Sequence, residues 1–541
     1  CYCISIAGML GGIFILPGIA AAKTGSSVWL AFLLAAISIL PAVLSKSELA
    51  TAMPKSGGAY LYIERAFGPM MGTISGMGLW ISLILKSSFA LIGLGAYLFV
   101  LIKIPAEFIK YISLVVLFLI MLLNIFGVKK VGKVQIIMIS LGLTGLISLL
   151  FIGIPEVKNE MLHPFINNGS GAFLSTIAFV YISYAGVTKI AAVAGEVKNP
   201  SRNLPLSMIL SLIIIASIYI AVAYTLVGNI PLFELNEDIR PLYTLSLSLG
   251  GQIFAYIIAG LGVVTLISMA NSGVLAASRF PFAMAMDKLL PSSLSKVHEK
   301  HLTPINTILF TCFFMSLIIL FLDVEKIVKL ASAFKVSMFI TVNICVIVLR
   351  ETAVQWYKPT YKSPLYPYVQ LFGILSGLVL LFYLGWMPIL VLIIIALIGS
   401  VIFYLYGFKA DRTGVLRNYG HIAAKFLFFR KTSQDIQQVE NYNLANERHK
   451  DWLDGQINPN AGVIITLFGN EYSPESLVEV GAALNQKKEL QVINITEVPD
   501  QTFLDAVLVE TPKIKSLKRQ LSIVQDLNNL KLDFESIVTH N

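Results

Sequence analysis

The sequence predicts an all-α polytopic membrane protein of about twelve transmembrane helices, followed by a small C-terminal α/β domain. Three observations predict it. Of 541 residues, 56% are hydrophobic and 13% charged, against roughly 45–50% and 25% in soluble chains, and the mean hydropathy is +0.78. The apolar residues gather in runs near the roughly 20 residues that a spanning helix needs. The first and sixth runs are both interrupted by glycine, although a helix in lipid must ordinarily satisfy its own backbone throughout.

In order, the runs cover residues 1–21, 28–44, 70–101, 109–127, 134–154, 172–194, 205–228, 251–284, 304–322, 327–349, 368–385 and 387–406. The first opens at Cys1 without a methionine, so its helix is expected to be incomplete at its start. With both ends of the membrane part on one side, the loop Lys and Arg residues divide about two to one. The richer side includes Lys46, Lys55, Arg65, Lys129, Lys130, Lys133, Lys198 and Arg202, and the poorer side Lys23, Lys103, Lys110, Lys326 and Lys329. The positive-inside rule makes the richer side cytoplasmic in a cell (inner or plasma) membrane. The net charge of +9 therefore reads as topology and not as a nucleic-acid footprint.

Cys1, Cys3, Cys312 and Cys345 lie in apolar stretches without metal-ligand spacing, as buried thiols do. None of the six His residues falls at membrane depth, where an enzyme would need a cluster of His, Asp or Glu. No G-x-x-x-x-G-K-[ST] loop is present, which argues against an ATP-driven pump. The sequence calls for no metal or cofactor.

Three regions follow: a membrane domain at 1–406, a linker at 407–460 rich in Asn, Gln and charge, and an α/β unit at 461–541. The last reads as a strand in AGVIITLF, a helix from near Ser473 and Pro474, a strand ending in VINITEVP, a helix over about 512–530 and a strand at 534–539. So few strands predict that this unit is incomplete or unusually small.

The sharpest local signal is MLGGIFILPG at 9–18, where Gly11 and Gly12 interrupt the run. Each glycine costs a helix about 1 kcal/mol relative to alanine. Two readings stand: close helix packing through small residues, or an unwound helix whose free N–H groups receive an anionic substrate group. The second requires a matching break five helices on. The sixth run supplies Gly186, preceded by Ala185 and followed by Thr188 and Lys189. Lys86 and Lys189 also lie inside apolar runs, where an ionisable residue is expected to face protein or water and not lipid. For Lys189, snorkelling toward an aqueous gap is an equal alternative.

Four stretches together resemble the amino acid/polyamine/organocation family of transporters: MLGGIFILPG, PKSGGAYLYIERAFGP at 54–69, AGEVKNPSRNLP at 194–205 and SRFPFAMAMDKLLP at 278–291. The resemblance implies two inverted five-helix repeats plus two further helices, with substrate held between the broken first and sixth. It implies that Gly8, Gly11, Gly12 and Ile13 meet the substrate through backbone, with Ile182, Ala185 and Gly186 opposite and Ser82 and Lys86 lining the pocket from the third helix. Two departures bear on coupling: Thr188 stands where many members carry glutamate, and Gly142 where some carry lysine. The usual proton carriers are therefore absent; the coupling candidates are Lys86, which would titrate if proton-coupled, Thr188 and Lys189 beside the break, and Ser272 and Ser278 for sodium. The tail resembles a universal stress protein domain but lacks that family's glycine-rich nucleotide motif, so no nucleotide site is expected.

The implied function is secondary transport of amino acids or related small organic ions by alternating access, ion-coupled or by exchange. The expected partners are the small-molecule substrate, the lipid bilayer and a second copy of the chain, with no nucleic acid. The alternative is a transporter-like sensor or channel signalling through its tail.

Overall fold

In a computed structural model, the described residues are 2–54, 58–102, 105–126, 131–163, 165–166, 169–197, 199–235, 238–298, 303–352, 354, 356–407, 414–415, 461–467, 473–484, 489–498, 514, 517–519, 521–522, 525 and 532–540. Most of the linker expected at 407–460 and of the helix expected at 512–530 lies outside them, as do Lys55, Lys103, Lys129, Lys130 and Lys198. The chain forms two compact units, residues 1–347 with 359–411 and residues 348–358 with 412–541.

The larger unit is helical. In order come α1 (Tyr2–Leu10), a 3-10 turn at Gly11–Phe14, α2 (Leu16–Thr24), α3 (Val28–Ala52), α4 (Ala59–Phe67), α5 (Pro69–Ile102), α6 (Ile109–Phe126), α7 (Val131–Gly153) and α8 (Gly169–Val180). A 3-10 run at Tyr181–Glu196 leads to α9 (Pro200–Asn229), α10 (Pro241–Met286), α11 (Ile305–Phe321), α12 (Val324–Glu351), α13 (Tyr368–Tyr383) and α14 (Trp386–Ile402).

Helix falls within all twelve apolar runs, but nine helical stretches among the described residues are long and apolar enough to cross a membrane. Among the described residues, fewer than the expected twelve reach that length and composition, for two reasons. The break at Gly11 leaves α1 short, and the second half of the first run joins the second run in one helical stretch, Leu16–Ala52. α11 and α13 are shorter apolar helices of 17 and 16 residues, at the lower edge of spanning length. Elsewhere the helices outrun their apolar cores. α3 continues through Lys46 and Glu48, so Lys46 is not the loop residue its position suggested but a helical lysine only 4% exposed.

Burial sorts the spans. The most apolar window of α5 is 83% buried and that of α12 78%, whereas α6 is 17% and α14's stretch 6% buried. α5 and α12 are central; α6 and α14 present Phe118, Leu123, Ile393 and Leu397 outward, as lipid-facing helices do. α5 packs most broadly on α10, and α3 on α9. Small residues permit these approaches: Gly93 of α5 receives Ile15, and Gly273 of α10 receives Ser87. A Gly251 with φ +72 kinks α10 near its start, where the sequence placed the start of that run.

In the second unit, β1 (Ala461–Leu467), α15 (Pro474–Leu484), β2 (Glu489–Val498) and β3 (Leu532–His540) form a three-stranded parallel sheet of order β1-β2-β3 with one helix described against it. Leu467, Val478, Leu490, Val492 and Leu521 make its core. The strand–helix–strand pattern was legible because β-branched runs flank a Ser-Pro helix start.

Candidate functional site

The break in the first helical stretch begins where Leu10 is still helical and ends at Ile15, whose φ of −125° and ψ of −48° let its N–H reach only the Gly12 carbonyl, at 3.3 Å. Carbonyls released by such a break must find other donors. The Tyr219 hydroxyl on α9 donates to Met9 O at 2.9 Å, and that of Tyr97 on α5 donates to Phe14 O at 2.7 Å. Both tyrosines are fully buried.

The second break is longer. Runs of 3-10 helix beyond three or four residues are uncommon and mark strained or hinge segments, yet Tyr181–Glu196 keeps this form for 16 residues. Its carbonyls, and the last ones of α8, are again held by side chains of other helices. Ser332 of α12 donates to Phe179 O at 3.0 Å, Lys86 of α5 to Ile182 O at 2.8 Å and Ser183 O at 3.4 Å, and Ser5 of α1 to Val187 O at 3.0 Å.

The two interrupted stretches meet at one point. A Cβ on Gly186 would overlap the Gly8 backbone, and a Cβ on Gly8 would lie 3.1 Å from Gly186 Cα and 2.8 Å from Lys189 Cδ. Gly8 and not Gly11 is therefore the partner of Gly186. Gly11 instead faces Met269, whose Sδ would be 2.5 Å from a Cβ there, and Gly12 faces the Tyr219 hydroxyl at 2.6 Å.

The remaining candidates sort as follows. Lys86, 4% exposed, is aimed at the sixth-run carbonyls; Ser82, one turn earlier, donates to Ala331 O of α12 at 3.4 Å. Ile13, Ile182 and Ala185 are buried in the same region. Lys189, 8% exposed, donates to Ser272 Oγ of α10 at 3.2 Å. Ser272 and Ser278 each donate back to their own helix, to Met269 O at 3.0 Å and Leu275 O at 3.2 Å, the common habit of serine in apolar helices. Thr188 is 2% exposed and its hydroxyl has no partner among the described residues.

One central residue was missed by sequence reasoning. Lys335 lies in the middle of α12, 5% exposed, with its ammonium 4.8 Å from the Phe339 ring centroid. The signal was available, since it interrupts the run 327–349 as Lys86 interrupts its own. Ser332, Lys335 and Phe339 share a face of α12, and that face meets the break: Ser332 bonds Phe179 O, and Phe339 lies 6.1 Å from the Tyr181 ring.

At one end of the bundle, Lys23 at the end of α2 donates to Glu325 of α12 at 2.6 Å, and Lys329 joins the same carboxylate at 2.8 Å. Elsewhere, Tyr60 of α4 donates to Asp287, just beyond α10, at 2.8 Å. Burial first, then the carboxylates of Glu64 and Asp287, push the Tyr60 phenol well above its ordinary range, so it remains a donor. Among the described residues no group of His, Cys, Asp and Glu could hold a metal.

A family model described as amino acid permease matches residues 1–407. The chain is 31% identical over 440 residues to the branched-chain amino acid permease BcaP of Bacillus subtilis (strain 168), covering 76% of this chain and 92% of the relative. It is 29% identical over 420 residues to BcaP of Lactococcus lactis subsp. cremoris (strain MG1363), covering 73% and 90%. It is 27% identical over 387 residues to the serine/threonine exchanger SteT of Bacillus subtilis (strain 168), covering 67% and 84%.

Proposed function

Since this chain belongs to the amino acid permease family, a family of transporters and not of enzymes, we propose that it moves amino acids across a membrane by alternating access around the paired interruptions of its first and sixth stretches. The observation that carries the reading is the junction of Gly8 with Gly186, flanked by two segments whose carbonyls are held by side chains. Backbone groups freed from helical bonding at such a junction are the natural hydrogen-bonding surface for a substrate's carboxylate and ammonium. Gly8, Gly11, Gly12 and Ile13 on one side, and Ile182, Ala185 and Gly186 on the other, are the proposed contact residues.

Alternating access requires each end of the bundle to open in turn. The Lys23–Glu325–Lys329 cluster is the proposed latch at one end, and Tyr60 with Asp287 a second contact that must part. The segment after residue 461 is proposed to modulate transport from the cytoplasmic side. The deciding experiment is uptake of radiolabelled amino acids into proteoliposomes, with and without a proton or sodium gradient. Saturable uptake that responds to one gradient supports coupled transport; counterflow without a gradient supports exchange. Substrate-independent ion current would make the chain a channel.

A further inference from the structure

Three buried ammonium groups from three helices surround the sixth-stretch break, and among the described residues none has an acidic partner. Lys86 reaches it from α5 and Lys335 from α12, while Lys189 belongs to the break itself. Each is less than a tenth exposed. Lys86 donates to Ile182 O and Ser183 O of the break, and Lys335 lies on the α12 face from which Ser332 bonds Phe179 O. Lys46 of α3 is equally buried.

Among the described residues, three carboxylates of the neighbouring elements are engaged elsewhere. Glu48 accepts from the Ser363 N–H at 2.7 Å, Glu325 holds Lys23 and Lys329, and Asp287 accepts from Tyr60. Among the described residues no ion pair joins Lys46, Lys86, Lys189 or Lys335 to an acid. Lys86 is satisfied by carbonyls and Lys189 by Ser272. Lys335 has no hydrogen-bond acceptor among the described residues, only the face of Phe339. Thr188, two residues from Gly186, carries a second buried group without a partner among them.

An intramembrane cation ordinarily pairs with an acid or with backbone carbonyls, and a buried charge without compensation is costly. The missing negative charge is then one that arrives and leaves. We propose that the substrate is an amino acid carrying a second carboxylate, which Lys335 and Lys189 receive while the α-carboxylate and α-amino group meet the backbone at the break. The inference rests on the amino-acid transport reading above and narrows it. A substrate with a side-chain ammonium would add like charge to this lining and is excluded by it. Lys86, already bonded to two carbonyls, positions the break and does not receive the side chain.

The test is uptake of labelled aspartate, leucine and lysine by the full chain in proteoliposomes, with gluconate replacing chloride. Aspartate is expected to be taken up with an affinity at least tenfold above that of leucine, and lysine not at all. Lys335→Gln is expected to weaken aspartate at least tenfold and so to remove its advantage over leucine; an unchanged aspartate-to-leucine affinity ratio overturns the proposal. In case that variant does not fold, protection of the purified wild-type chain against thermal unfolding by aspartate, leucine or chloride is measured in parallel; protection by aspartate alone supports the proposal. Leucine or lysine uptake with aspartate neither carried nor protective overturns it while leaving amino acid transport intact. Protection by chloride alone overturns it in favour of an inorganic anion. No uptake of any of the three overturns the transport reading and the inference together.

Discussion

Gly186 rests on Gly8 backbone to backbone, with no room for a methyl group between the two interrupted stretches. The contact is unequal. A methyl on Gly186 collides with the Gly8 main chain, whereas one on Gly8 meets chiefly the Lys189 side chain, which can shift. Overpacking a tight core typically costs about 1–3 kcal/mol. Gly186→Ala is therefore expected to abolish uptake and lower thermal stability, and Gly8→Ala to do less of both. Equal losses, read by uptake and by a melting curve in detergent, would place the strain elsewhere.

Gly12 and Tyr219 form a second coupled pair. A methyl on Gly12 would displace the hydroxyl that holds Met9 O, and leaving a buried carbonyl unsatisfied costs about 1–3 kcal/mol. Gly12→Ala and Tyr219→Phe should each impair uptake, and the double variant should lose less than the two effects added, since the phenyl ring makes room for the methyl. A double-mutant cycle on uptake rate measures this; strict additivity would show that the two residues act independently.

Lys86→Met removes the donor to Ile182 O and Ser183 O. Because this acts on the shape of the break, uptake should fall for every amino acid carried, with a stability loss of about 1–3 kcal/mol. A selective loss of one substrate class would instead make Lys86 a direct substrate contact.

Glu325→Gln breaks two partly exposed ion pairs at once, those to Lys23 and Lys329. Exposed pairs are worth about 0.2–1 kcal/mol each and weaken with salt, so the populations of open and closed forms should shift only a few-fold. A cysteine placed at Ser27, itself buried close to α2, should react several times faster with a membrane-impermeant thiol reagent in this variant. An unchanged rate at low salt would remove the cluster as a latch.

Truncation before Ala461 removes the sheet unit and none of the residues named at the break. Basal uptake should persist, with any regulation lost. A correctly inserted truncated protein that carries nothing would make the tail essential.

Much of the membrane part could be read directly, because lipid leaves the chain few options: apolar runs became helices, and glycine at Gly11 and Gly186 marked the two interruptions. What the sequence could not convey was who faces whom. It offers 21 tyrosines, and nothing local singles out Tyr97 and Tyr219 as the ones that bond the released carbonyls. Gly8 sits inside regular helix and carries no sign of its contact, while Gly11 and Gly12, the more conspicuous pair, face Met269 and Tyr219. Lys46 read as a loop residue because the apolar run stops before it, although α3 does not.

The 16 residues from Tyr181 to Glu196 also set a distance. At about 2.0 Å per residue a 3-10 helix of that length reaches about 32 Å, whereas the same residues wound as α-helix, at about 1.5 Å each, would reach about 24 Å. Rewinding the segment would draw its two ends together by about 8 Å. Any change in winding there would therefore alter the spacing between the end of α8 and the start of α9.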